Sequence, residues 1–330
     1  MNEHISDGQA LQNEGRWHKI GARVMASPLT LPLVLFLVVL AVNAVFQQNM
    51  FNARVVRTNI LTFTPLMLVA MGQAIIMISG NLDLSVGWGV SAINCIIATY
   101  MTDDPMTIAL VLIVALAASI CMGLVNGILI GYLKLPFLIA TFASSYLWLG
   151  LAMKITPIPG GYFPRFFAKF FKAYIGPFNT MLLIVILCVI IWGIIRRFRL
   201  GRYIFAVGSD SEAAFNNGIN VKKITLLAFA LGWVFVFLGA LMITAQTRNA
   251  DSQIGTPFAL NSIAAAVVGG IALGGGRGSI IGAILGAVVL SLIMNIIYFA
   301  GIPGSWQVFV KGMIIIVALG ATVIYKKKYD

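Results

Sequence analysis

Hydrophobic positions in this chain come in long unbroken runs, not on one face of a helix or at alternate positions of a strand. The runs cover roughly 28–47, 58–79, 84–101, 106–131, 135–153, 180–196, 223–247, 258–273, 279–300 and 305–325. A helix crossing a bilayer needs about 20 such residues. The pattern therefore predicts an all-α integral membrane protein with about ten transmembrane helices. The runs at 84–101 and 258–273 are short or interrupted by glycine and read as partial spans.

Composition agrees. Sixty per cent of the 330 residues are hydrophobic, 10% are charged, and the mean hydropathy is +0.98. Soluble domains are about 45–50% apolar and about 25% charged. A soluble enzyme, a nucleic-acid-binding domain and a disordered chain are all excluded. The net charge of +12 is then a matter of topology, because cytoplasmic loops of membrane proteins collect lysine and arginine. With residues 1–27 as a cytoplasmic tail leading into an uncleaved first span, the inner side holds Arg16, Lys19, Arg23, Lys134, Arg196, Arg197, Arg199, Arg202, Lys222, Lys223, Arg277 and Lys326 to Lys328. The outer side holds half as many, from Arg54 and Arg57 through Lys154, Arg165, Lys169 and Lys172 to Arg248. Both termini are expected in the cytoplasm. A single membrane domain, 28–325, would carry an external loop at 154–179 and a cytoplasmic loop at 197–222, and end in a basic tail at 326–330.

Reactive chemistry is scarce. Cys95, Cys121 and Cys188 lie in apolar runs, and His4 and His18 lie in the tail, so neither a metal site nor a catalytic residue is predicted. Asp83 and Lys311 are the ionisable groups at or within the runs. Ion-driven carriers commonly use intramembrane carboxylates, so any uphill transport would draw its energy from a partner. The runs do contain Gln73, Asn94, Asn126, Thr141, Ser144, Ser145, Asn261 and Asn295. Such groups either line a path for a neutral polar solute or join helices, at about 0.6 kcal/mol per hydrogen bond.

Two series of glycines recur every four residues: Gly123, Gly127 and Gly131, and Gly270, Gly274, Gly278, Gly282 and Gly286. This spacing predicts close helix packing. The run Gly274–Gly278 also interrupts its span, and it lacks the lysine of a phosphate-binding P-loop. The two series fall in the fourth and ninth spans, an offset of five that reverses direction, as an inverted-topology repeat would. In the external loop, Arg165 to Lys172 alternates phenylalanines and cations at helical spacing, predicting a short interfacial helix. In the cytoplasmic loop, Ser209, Asp210 or Ser211 can cap a helix of about two turns that Gly218 ends with positive φ. So short a helix needs a supporting surface.

At this last segment the chain resembles the permease subunits of bacterial ATP-binding cassette importers for monosaccharides, the ribose/galactose/arabinose/xylose branch. Their loop reads G-x-N-x-x-A-A-x-x-x-G-I, and here Gly208, Asp210, Ala213, Ala214, Gly218 and Ile219 stand in it, with aspartate replacing the usual asparagine. Two further stretches are similar: Gly80, Asp83, Leu84, Ser85, Val86 and Gly87, and later Ile263 to Ala265, Val267, Gly269, Gly270, Leu273, Gly275, Gly276 and Gly278. The resemblance spans about 30–325 with the motifs in order. It implies that Gly208, Asp210, Glu212, Ala213, Ala214 and Gly218 couple to a cassette ATPase, often two fused cassettes, which holds ATP and Mg. It also implies a second permease subunit, identical or not, and a periplasmic or lipid-anchored sugar-binding protein, all at the bacterial inner membrane. This chain itself would bind no cofactor. The rival readings are a permease for branched-chain amino acids, and an autonomous ion-coupled carrier that would leave the 208–218 helix nothing to dock on.

Overall fold

The computed structural model describes residues 29–303 other than 177, and beyond them only 306, 309, 312 and 313. The expected tenth run and both expected tails therefore lie outside the described residues, those four positions aside. The helices are α1 (Thr30–Phe46), α2 (Ala53–Ile78), α3 (Val86–Tyr100), α4 (Pro105–Gly131), α5 (Phe137–Ile155), α6 (Arg165–Lys172), α7 (Thr180–Arg197), α8 (Arg199–Ser209), α9 (Ser211–Asn216), α10 (Val221–Thr247), α11 (Thr256–Val268) and α12 (Ile280–Phe299). A two-residue hairpin, β1 (Tyr174–Ile175) with β2 (Phe178–Asn179), precedes α7. Among the described residues six helices are long and apolar enough to cross a membrane: α2, α4, α5, α7, α10 and α12. Helices α1, α3 and α11 are apolar but shorter.

Helix starts follow from the chemistry of free N–H groups, which find no water in a bilayer core. Asn52, Asn179 and Asn220 each accept from a backbone N–H one turn on, at 2.9, 2.9 and 3.0 Å. Asp104 accepts from both the N–H and the hydroxyl of Thr107 at 2.8 Å, which holds its carboxyl below the ordinary value. Asn52 is why α2 begins at Ala53, five residues before its hydrophobic run, and takes Arg54 and Arg57 into its first turns.

Helix α2 is the centre of the bundle, buried from Phe63 to Ile78. It holds Pro65, whose missing N–H orphans the Leu61 carbonyl. Gln246 of α10 donates to that carbonyl at 2.6 Å. Helix α10 crosses α2 in the opposite direction. A Cβ on Gly239 would lie 3.0 Å from the Pro65 carbonyl oxygen, and one on Gly232 would lie 2.8 Å from that of Gly72.

This pair exposes an internal repeat at an offset of 168 residues (Asp83 to Asp251). Each helix ends in a left-handed residue, Gly80 (φ +84°) and Arg248 (φ +56°). Each is followed by Asn-x-Asp-x-x-[Val/Ile]-Gly, at 81–87 and 249–255. In each break the aspartate accepts from the N–H two residues on at 2.8 Å, and a short helix follows, α3 or α11. Gly87 and Gly255 occupy equivalent positions and pack on one another; a Cβ on Gly87 would lie 2.9 Å from the Gly255 carbonyl oxygen. The pseudo-twofold axis thus passes between them. Because α2 and α10 run in opposite directions, the repeat is inverted.

The expected repeat is therefore present, but the glycine series do not carry it. In the true register Gly123 and Gly127 correspond to Ser291 and Asn295. Nor is the later series a single packing ladder. Gly270 and Gly278 have positive φ in the connection after α11, and the space beside Gly274 is open. Five glycines in nine residues cost too much backbone entropy for a helix to continue. Gly282 and Gly286 of that series do face a helix end, where α12 packs on the end of α11. Gly123, Gly127 and Gly131 do act as a ladder, against Trp233, Leu226 and Lys222 of α10. A Cβ on Gly282 would fall on the Gly269 carbonyl. Gly282→Leu should therefore cost about 1–3 kcal/mol by overpacking and lower the monodisperse yield in detergent chromatography; an unchanged profile would show that α11 and α12 can separate.

The loop at 154–179 forms the expected short helix, α6. Phe171 and Ala168 are buried while Phe166 and Phe170 are exposed, and Phe167 packs on Phe163 and Phe171 at centroid distances of 5.4 and 4.9 Å. Arg248 donates to the Phe163 carbonyl at 3.1 Å, tying this loop to the second helix break.

Candidate functional site

Helix α9 is six residues long and is held at both ends by its own chain. The Asp210 carboxylate accepts from the N–H groups of Glu212 and Ala213, each at 2.9 Å. At the other end Ile219 N–H donates to the Ala214 carbonyl and Gly218 N–H to that of Phe215, at 3.0 and 2.9 Å. This is a Schellman turn, which needs a left-handed residue; Gly218 supplies it at φ +80°. Ala214 is buried against the bundle, whereas Glu212 and Ala213 are exposed and Phe215 is 68% exposed. The helix thus presents an acidic, apolar-tipped knob. Aspartate at 210 caps as the asparagine of the resembling family would.

The chain entering α9 touches two other segments backbone to backbone. A Cβ on Gly208 would fall on the Ile78 carbonyl and lie 2.7 Å from the Gly276 nitrogen. Gly276 N–H donates to that same Ile78 carbonyl at 2.9 Å. A Cβ on Gly275 would lie 2.6 Å from Gly80 Cα and 2.7 Å from the Gly208 oxygen. The end of α8, the end of α2 and the glycine-rich connection after α11 therefore meet at one junction. A Cβ on Gly276 would fall on Ser209, so it is the glycines that let these three segments meet so closely.

Three residues past Gly80 lies Asp83, fully buried. Its Oδ1 accepts from the N–H and hydroxyl of Ser85 at 2.8 and 2.6 Å. Its Oδ2 accepts from Trp233 Nε1 at 2.9 Å and Asn126 Nδ2 at 3.1 Å. Asn126 in turn accepts from the Ser144 hydroxyl at 2.6 Å, and Thr141 Oγ1 accepts from Leu84 N–H at 3.2 Å. Gln73, with its amide turned to satisfy both ends, donates to the Asp83 carbonyl and accepts from its N–H, each at 3.2 Å. One carboxylate thus joins α4, α10 and the break between α2 and α3. The second break is closed differently. Asn94 donates to Thr244 and to the Asn249 carbonyl at 2.9 and 3.0 Å, and accepts from Asp251 N–H at 2.9 Å.

The polar residues singled out in the sequence therefore divide. Gln73, Asn94, Asn126 and Thr141 are buried and hydrogen-bonded at the breaks, which they hold together; Ser145 is buried and donates to the Phe142 carbonyl of its own helix. Asn261 and Asn295 line a cavity. Leu84 is partly buried beside the Asp83 network. Trp233, whose ring fills the space beside Gly89 and Gly123, was not among the sequence candidates. Its partner Asp83 is 150 residues away, and only the internal repeat links their segments.

Comparison with known proteins accords with this geometry. Residues 55–319 match the family described as branched-chain amino acid transport system / permease component. The chain belongs to that family and is a multi-pass membrane transport component rather than an enzyme. It is 30% identical over 309 residues to the galactose/methyl galactoside import permease protein MglC of Escherichia coli K12, covering 87% of this chain and 91% of that one. It is also 30% identical over 258 residues to the ribose import permease protein RbsC of Haemophilus influenzae, covering 76% and 80%. The RbsC of Bacillus subtilis is 29% identical over 259 residues. No solved structure matches it.

Proposed function

We propose that this chain is the permease subunit of an ATP-binding cassette importer for a monosaccharide or similar polyol. The observation that carries the reading is α9: a short helix, capped at both ends, exposed at its tip and joined through the end of α8 by backbone contact to the end of α2 and to the glycine-rich connection after α11. Such a knob serves a separate ATPase, which would hold ATP and Mg, while an extracytoplasmic binding protein delivers the sugar. Two permease subunits would enclose the path in a bacterial inner membrane, each with ten spans and cytoplasmic termini. The import permeases named for galactose and ribose favour sugar. The family's description favours branched-chain amino acids, but among the described residues the lining of the cavity between α2, α11 and α12 contains no ionisable side chain to meet a zwitterion.

The test is a mild-detergent pull-down from native membranes with mass spectrometry. A stoichiometric cassette ATPase supports the reading; an intact, monodisperse chain without one overturns it. Gly218→Val sharpens the test. A β-branched residue in the left-handed region costs about 1–2 kcal/mol and loosens the turn that shapes α9. ATPase recovery and uptake should fall about tenfold with normal permease yield. Unchanged uptake would remove α9 from the coupling role.

A further inference from the structure

The two halves of the repeat are filled differently. In the first, the Trp233 ring occupies the space beside Gly89 and Gly123. At the 168-residue offset the counterpart of Trp233 is Pro65, and those of Gly89 and Gly123 are Pro257 and Ser291. No indole enters this second seat. It is a cavity of about 170 Å³ between α2, α11 and α12. Its walls have also changed chemistry: Asn261 stands where the first half has Ile93, and Asn295 where it has Gly127.

Among the described residues these polar groups are largely unspent. Asn261 is partly exposed and its side chain makes no hydrogen bond to any described residue. Asn295 reaches only Asn59 Oδ1, at 3.3 Å. An amide facing hydrocarbon without a partner costs several kcal/mol, so these groups face water or a ligand. The remaining wall includes Phe63 and Phe258. A cavity of about 150 Å³ takes up benzene, so this one has room for a single six-membered ring.

We propose that this cavity is a binding station for a neutral polyhydroxylated ring on its way through the permease. The rings of Phe63 and Phe258 would take the C–H faces, and Asn261, Ser291 and Asn295 the hydroxyls. The proposal rests on the importer reading for its ligand class. It places recognition in the hollow half of the repeat and leaves the Asp83 half as a sealed strut.

Two arms test it. The first uses Ser291→Cys in a Cys121→Ala background, in membrane vesicles, with a water-soluble methanethiosulfonate reagent. Labelling is expected, slowed about tenfold by D-galactose or D-ribose at about ten times its dissociation constant. Labelling only in detergent would mean a lipid chain fills the cavity and overturns the proposal, as would labelling indifferent to both sugars. The second uses the ATPase-bearing complex. Asn261→Leu should raise KM for uptake about tenfold, and Pro65→Trp, which supplies the missing indole, should stop uptake while ATPase still copurifies. Wild-type KM in both variants overturns the proposal. Absence of ATP-dependent uptake by the wild type would instead sink the importer reading, and the labelling arm would still decide whether the cavity takes a sugar.

Discussion

Gly208→Val should reduce ATP-driven uptake by at least about 100-fold. The new Cβ would fall on the Ile78 carbonyl and beside the Gly276 nitrogen. Both are backbone, and backbone cannot rotate aside as a side chain does. Overpacking of this kind costs about 1–3 kcal/mol or more, and 3 kcal/mol corresponds to about 100-fold in an equilibrium. The expected relief is separation of α8 from α2 and from the glycine-rich connection. The ATPase would then hydrolyse ATP without moving the end of α2 or the glycine-rich connection. Parallel measurement of ATPase activity and uptake in proteoliposomes reads this directly. Wild-type uptake would show that the junction transmits nothing.

Asp83→Leu should have the largest effect on stability. It strips the acceptors from Trp233 Nε1, Asn126 Nδ2 and the N–H and hydroxyl of Ser85. Two or more of these donors would then be buried without a partner, at about 1–3 kcal/mol each. That is a large share of the stability of an ordinary domain. Asp83→Asn keeps one oxygen but turns an NH2 group toward donors, so an intermediate loss is expected. Thermal unfolding in detergent should rank wild type above Asp83→Asn above Asp83→Leu. Equal melting of all three would mean that the network forms without the carboxylate. Trp233→Phe, which deletes one donor with its hydrogen bond and keeps most of the ring, should fall nearer wild type.

Much of the fold was legible because its signals are local. Hydrophobic run length located the helices, whereas α11 stops at Val268, several residues before the Gly274–Gly278 interruption, because Gly269 and Gly270 already end it. Asp210 and Gly218 delimited α9 within a residue because caps are written in adjacent positions. Long-range pairings were not legible in that way. Asn126 and Thr141 look alike as polar residues in apolar runs, whether they face a path or a neighbouring helix. What separates them from Asn261 is who packs opposite, and that is set by the crossing of α2 and α10. The repeat was sought in glycine spacing, which reports close packing. It is written instead in the two Asn-x-Asp-x-x-[Val/Ile]-Gly breaks, in each of which the aspartate accepts from the N–H two residues on.

The caps on α9 have a kinetic consequence. With Asp210 fixing its first turn and the Ile219 and Gly218 hydrogen bonds its last, the segment has little backbone freedom left to surrender on contact. A partner that seizes it meets a preformed shape, and the ordering cost that slows and weakens coupled folding is absent. Association at this knob should then be limited by collision and orientation, typically 10⁵–10⁷ M⁻¹s⁻¹, and the strength of the grip should vary chiefly through how slowly it lets go.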